Sequence, residues 1–254
     1  MEKPLFRSLR EKIRRDYGFT KKTINFIPFE DWRSKLRAYP KEFEEEYAQN
    51  IAFLKDKLKF TDLESVENSN KKLILFAGIP GSGKTTLAQI IKEKVPKTLL
   101  LRGHDVVDML ELYGKNVEKY KGRLKDRGFV YPDPWYISYL YQEQLTRNCL
   151  QLGYNVVFDD HIRTIKNRLG YHEMAKQNGA KNVFIQINAP FETYMEREED
   201  EEGEDKKKFL ANFILQSEDF SQDELKKYSK VIQVDGTSKI NEIERMLLPQ
   251  INKA

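Results

Sequence analysis

The chain has 254 residues, 39% of them hydrophobic and 33% charged, which supplies apolar material for one sizeable core; at 12% aromatic it is not a disordered chain. A single cysteine, Cys149, excludes an internal disulfide and a cysteine zinc site, and no run approaches the roughly 18 uninterrupted apolar residues that a membrane helix needs. The formal charge of +4 divides into +5 over residues 1–22 and −1 over the remainder, so the basic character belongs to the N-terminus.

The first residues have no apolar segment of the kind a secretory signal carries. Glu2, Glu11 and Asp16 argue against an organelle transit peptide, so the expected location is cytoplasmic. Leu5, Leu9, Ile13 and Tyr17 share one helical face, as do Phe43, Tyr47, Ile51, Leu54 and Leu58. Phe26 to Trp32 forms an apolar linker between them, and Ser65 to Lys72 a polar joint. These signals predict a helical extension over 1–70 and a second domain over 71–254.

From Lys72 onward strands and helices alternate. Strands are predicted at Leu73–Ala77, Thr98–Leu101, Asn155–Phe158, Asn182–Asn188 and Lys230–Asp235. Helices are predicted from Lys84, from Trp135 to Leu152, from after the third strand to about Gln177, at Phe191–Arg197 and at Ser238–Leu248. Short apolar strands separated by helices imply an α/β fold with a buried five-stranded parallel sheet flanked by helices on both faces.

The turn after the first strand reads Gly78-Ile-Pro80-Gly81-Ser82-Gly83-Lys84-Thr85-Thr86, a G-x-x-x-x-G-K-[ST] loop between a strand and a helix. Its glycines let successive backbone N–H groups turn inward, and the helix N-terminus adds partial positive charge, a cradle for phosphates. Lys84 is positioned to reach the β- and γ-phosphates, and the Thr85 hydroxyl to ligate Mg²⁺. The chain is thereby expected to bind a nucleoside triphosphate, taken as ATP because no guanine-reading Asn/Thr-Lys-x-Asp motif is present in the expected place.

Ligands of open α/β sheets lie beyond the carboxyl ends of the strands. After the second strand, Asp105 is a candidate to accept a proton from an acceptor hydroxyl; the alternative is a helix cap ahead of Val106. After the third come Asp159 and Asp160, where an acid is expected as the second Mg²⁺ partner. Alternation alone leaves both open, and Asp159 is preferred. His161, His172 and Cys149 have no zinc-site spacing. Arg197 is a candidate charge clamp on the phosphates, and the acidic run from Glu198 to Asp205 reads as a solvated helix end.

On these residues the chain resembles P-loop kinases of the group containing polynucleotide kinases, zeta toxins and phosphoseryl-tRNA kinase. The layout Asp159-Asp160, Arg168, Ala175-Lys176 is similar to phosphoseryl-tRNA kinase, and His161-Ile-Arg163 lies where zeta toxins carry Thr-x-Arg. A related tRNA-linked ATPase family shares the layout. The resemblance implies transfer of the γ-phosphate of ATP to a hydroxyl, with Lys84, Asp105, Arg168 and Arg197 as the catalytic set. It departs where polynucleotide kinases carry an Arg three residues past the catalytic Asp, since Asp108 stands there. The implied acceptor is RNA or a tRNA-linked group, a nucleotide sugar or another small molecule. The alternative is an ATP-gated RNA- or protein-binding ATPase without a phosphorylated acceptor. The basic N-terminal helix, with Phe6, Tyr17 and Phe19, is a candidate RNA contact or a helix packing its apolar stripe on the core. Tyr131 to Tyr136 is a candidate clamp for a base or sugar, or a segment packed in the core.

Overall fold

The computed structural model of the protein describes residues 5–20, 44–109, 134–198 and 203–254. The apolar linker Phe26–Trp32 and the first residues of the Tyr131–Tyr136 segment lie outside these, as do residues 199–202 of the acidic run. Two helices come first, α1 (Leu5–Tyr17) and α2 (Glu44–Lys57). Then follow β1 (Lys72–Ala77), α3 (Lys84–Lys94), β2 (Thr98–Arg102), α4 (Gly103–Met109), α5 (Pro134–Gln151) and β3 (Asn155–Asp159). The chain continues through α6 (Ile165–Gln177), β4 (Lys181–Asn188), α7 (Phe191–Arg197), α8 (Gly203–Gln216), α9 (Gln222–Lys227), β5 (Lys230–Asp235) and α10 (Ile240–Lys253). No helix among the described residues is long and apolar enough to cross a membrane.

The strands form one parallel sheet in the order β2-β3-β1-β4-β5. β1 is buried along its whole length because helices cover both faces of the sheet. Alternation sorts its side chains into two cores. Leu73 and Leu75 join Val156, Phe158, Phe184 and residues of α2, α5 and α6 on one face. Ile74 and Phe76 join Val157, Ile185, Ile232 and residues of α3 and α10 on the other. Reading from the crossover between β1 and β3, the carboxyl ends of both strands meet where the Gly-rich loop begins.

A third core lies beside that end. Phe6, Leu9 and Ile13 of α1 are buried against Leu210, Ala211 and Ile214 of α8, together with Phe191, Tyr194 and Ile79 of the Gly-rich loop. The Asp219 carboxylate caps α1, accepting from the N–H groups of Phe6 at 2.8 Å and Arg7 at 3.0 Å. The basic face of α1 is largely neutralised internally. Arg7 pairs with Glu11, Arg10 with Asp219, Lys12 with Asp16 and Glu192, and Arg15 with Asp16. Within residues 1–70, Leu54 of α2 also lies in the first core, so both N-terminal helices pack on the α/β body.

After β4 the helix predicted at Phe191–Arg197 is present with those bounds, and a second helix follows it. α7 ends at Arg197, and α8 starts at Gly203 with three apolar residues buried. Glu204 and Asp205 are exposed, as expected for a solvated end, but Glu198 is 5% exposed.

Candidate active site

The loop from Gly78 to Thr85 joins β1 to α3, and two of its glycines are required by its shape. Gly83 precedes α3 with φ 90° and Gly81 has φ 72°, both left-handed conformations that side chains disfavour. A Cβ at Gly81 would also stand 3.0 Å from the Tyr194 carbonyl and 3.3 Å from the Glu198 nitrogen, so the end of α7 rests on the loop itself. Lys84 is 7% exposed, and its ammonium donates to the Ile79 carbonyl at 2.8 Å and the Ser82 hydroxyl at 3.3 Å. Burial pulls the Lys84 amine down to about 8, against the opposing pull of Asp159, Asp160 and Glu198.

Asp159 and Asp160 part company at the end of β3. Asp159 follows the parity of Val157 toward the α3 face, where the Thr85 side chain lies near its carboxylate. Burial raises its carboxyl, a shift that Thr85 and Lys84 oppose. A hydroxyl and a carboxylate side by side at a phosphate loop are hard oxygen donors of the kind Mg²⁺ takes when substrate phosphates complete its shell, so the residues fit that ion. No cluster of three or more His, Cys, Asp or Glu able to hold a metal occurs among the described residues. Asp160 follows Phe158 to the other face. Its Oδ1 accepts from the Tyr139 hydroxyl at 3.0 Å and from the His161 amide, and its buried Oδ2 has no hydrogen-bond partner among the described residues.

His161 returns to the loop, its Nδ1 lying 3.0 Å from the Gly78 carbonyl. Burial, Lys84 and Arg163 hold its imidazole well below the usual range. Arg163 is 8% exposed, and its charge acts on Lys84, Asp160 and His161 together. Its guanidinium lies 4.3 Å above the Phe213 ring of α8, which also meets the His161 ring at 5.1 Å.

Asp105 lies inside the first turn of α4, which starts at Gly103 rather than at Val106, and accepts from Arg102 Nε at 2.8 Å. Arg102 is paired in register with Asp159, so Asp105 stands one side chain away from the Thr85–Asp159 pair. Arg197 leaves α7 toward the opposite side of the loop and donates to the Gly236 carbonyl at 2.9 Å. There it borders a cavity of about 310 Å³ between Ser82, Gly83 and Thr86 and the turn from β5 to α10, with apolar walls from Leu87, Ile187 and Ile243.

Arg168 is not brought to this cluster. It is fully buried, and all of its guanidinium N–H groups are taken. Nε and Nη2 bind the Glu224 carboxylate at 2.7 and 3.1 Å, Nη1 the carbonyls of Arg163 and Glu218, and Nη2 the carbonyl of Asp219. No donor is left for a phosphate oxygen. Burial alone would raise the Glu224 carboxyl, but Arg168, the Ser221 amide and Tyr228 together hold it down at about 2. Arg163 is marked in the sequence only by its place in His161-Ile-Arg163, and the Phe213 ring that it packs on lies fifty residues further along.

A family model described as an AAA domain matches residues 73–214, and no curated protein matches the chain. Solved structures do. A chain from the structural characterisation of the PezAT chromosomal toxin–antitoxin system of Streptococcus pneumoniae is 22% identical, with a TM-score of 0.45. The match covers 62% of this chain and spans 61% of that one.

Proposed function

The chain belongs to this AAA domain family of nucleotide-binding P-loop proteins, and from that premise we propose that it is an ATP-dependent phosphotransferase acting on a hydroxyl. The observation that carries the proposal is the pairing of Thr85 with Asp159 beside the buried Lys84, on a loop whose glycines leave its backbone free to turn toward phosphate. Thr85 and Asp159 would hold Mg²⁺, which would supply positive charge to the phosphate oxygens. Lys84 contributes a cation to the same oxygens, and Arg163 a second one from the post-β3 turn. Asp105 orients the acceptor hydroxyl and takes its proton. Phosphoryl transfer is chiefly positioning and electrostatics, so these groups suffice without a covalent intermediate.

The 310 Å³ cavity beside Thr86 suits the nucleoside, with a base against Leu87, Ile187 and Ile243 and Arg197 closing over it from the rim. On this reading Arg197 serves the nucleoside end of ATP and Arg168 the scaffold. Residues 1–70 form the extension and 71–254 the kinase domain, with α1 packed on α7 and α8. Most cations of α1 are paired within the chain, which favours a packing role over RNA contact and leaves an RNA-linked, nucleotide-sugar or other small acceptor to be met on the Asp105 side. The thiol of Cys149 is buried, and burial raises it to about 12, which leaves it unreactive.

The test compares Asp105→Asn with the unaltered protein. Retained MgATP binding with transfer lowered about 10²–10⁴-fold is expected of a residue that handles the acceptor proton. Full transfer activity in Asp105→Asn removes that residue from the reaction. Slow hydrolysis with nucleotide-dependent capture of RNA or protein, and no phosphorylated acceptor, supports an ATP-gated binding protein instead.

A further inference from the structure

We propose that the N-terminal helix α1, which lies outside the matched residues 73–214, is a positioning element for Arg163 and thereby for phosphate binding. The proposal rests on the reading that Arg163 faces the phosphates.

Two independent routes join the helix to that arginine. The first runs through side chains across α8. Leu210, Ala211 and Ile214 meet Phe6, Leu9 and Ile13 of α1, while Phe213 on the adjoining flank holds Arg163 at 4.3 Å and His161 at 5.1 Å. An α-helix is rigid on the scale of one turn, so whatever sets the seat of α8 on α1 sets where the Phe213 ring stands. The ring in turn is one of the contacts that seat the guanidinium.

The second route runs through backbone at residues 217–219. The Asp219 carboxylate caps α1, and Arg10 donates to the Ser217 carbonyl and pairs with Asp219 at 3.5 Å. From the other side, the Glu218 amide donates to the Arg163 carbonyl at 2.9 Å, and Glu218 Oε2 accepts from the Ile165 amide. Arg168 bridges the same parts, binding the carbonyls of Arg163, Glu218 and Asp219 from one guanidinium. One three-residue joint therefore grips α1 with its first face and the backbone of Arg163 with its second.

The experiment reads the affinity of the full chain for a fluorescent ATP analogue with Mg²⁺, which needs no turnover and no acceptor. Arg163→Ala is expected to lose about ten- to a hundredfold, as for a charge-assisted contact to phosphate. Phe213→Leu keeps apolar bulk but removes the ring, with an expected loss of about three- to tenfold. Asp219→Ala uncaps α1, with an expected loss of about two- to fivefold. The discriminating result is the double variants: in the Arg163→Ala background neither Phe213→Leu nor Asp219→Ala should weaken binding further. Additive losses would mean that both residues serve stability alone and would overturn the proposal. Should Phe213→Leu fail to fold, the Asp219→Ala cycle decides by itself. Unchanged affinity in Arg163→Ala removes the phosphate reading beneath the proposal, an outcome distinct from additivity.

Discussion

The two sides of the cleft are built by different means. The nucleotide side is contiguous: nine residues from Gly78 to Thr86 supply the loop, the lysine and the hydroxyl, and glycine backbone does most of the shaping. The side formed by the post-β3 turn, α8 and α1 is assembled from parts far apart in the chain. Asp219 reaches α1 across more than two hundred residues, and Glu224 reaches Arg168 across more than fifty. A local motif tolerates change in everything around it, whereas a distributed one requires its ion pairs and packing to hold before any cation reaches the cleft. Chemistry and stability should therefore separate between the two sides.

The largest effect that sharpens this contrast is on stability. Arg168→Met leaves Glu224 buried without its cation, and urea unfolding should show a loss of about 3–5 kcal/mol. A change under 1 kcal/mol would mean the pair is not structural. On the contiguous side, Lys84→Ala should lower ATP turnover by about a hundredfold or more while unfolding stays near that of the unaltered protein. Equal losses of stability from both variants would break the comparison.

A smaller effect is set by acid. Glu224 stands at about 2 against an ordinary 4.5, so its ionised form is favoured in the fold. The stability it contributes is present above pH 4.5 and is lost as pH falls toward 2. Circular dichroism melts across that window should show the slope in the unaltered protein and a reduced slope in Glu224→Gln. The smallest expected effect concerns α1. Because Arg7 and Arg15 already pair with Glu11 and Asp16, replacing both with alanine should leave the salt dependence of any RNA binding nearly unchanged. A slope reduced by about two would return the helix to the role of an RNA contact.

Much of this was legible beforehand, for a physical reason. Every strand was readable because a parallel sheet buried on both faces demands continuous apolar runs, and the loop was readable because phosphate binding constrains adjacent residues. The choice between Asp159 and Asp160 was open from alternation alone, since both faces of β3 are buried. What separates them is which helix covers each face, α3 beside Asp159 and α5 beside Asp160, and that is a property of the packing. Arg168 is a related case: its position on α6 fits a family layout, while its partners Glu218, Asp219 and Glu224 lie in a segment where no motif marks them. α8 was missed because the acidic and lysine runs around residue 205 mask the apolar stripe of Leu210, Ala211 and Ile214 that follows.

The central claim, that the cleft moves a phosphoryl group from ATP to a hydroxyl, is tested most directly by incubating the protein and Mg²⁺ with γ-labelled ATP. Fractionated cellular RNA and small metabolites serve as separate acceptor pools. Stoichiometric label in one acceptor is expected, absent with α-labelled ATP and lost in Lys84→Ala. Label released only as inorganic phosphate, with no acceptor marked in any pool, would contradict it.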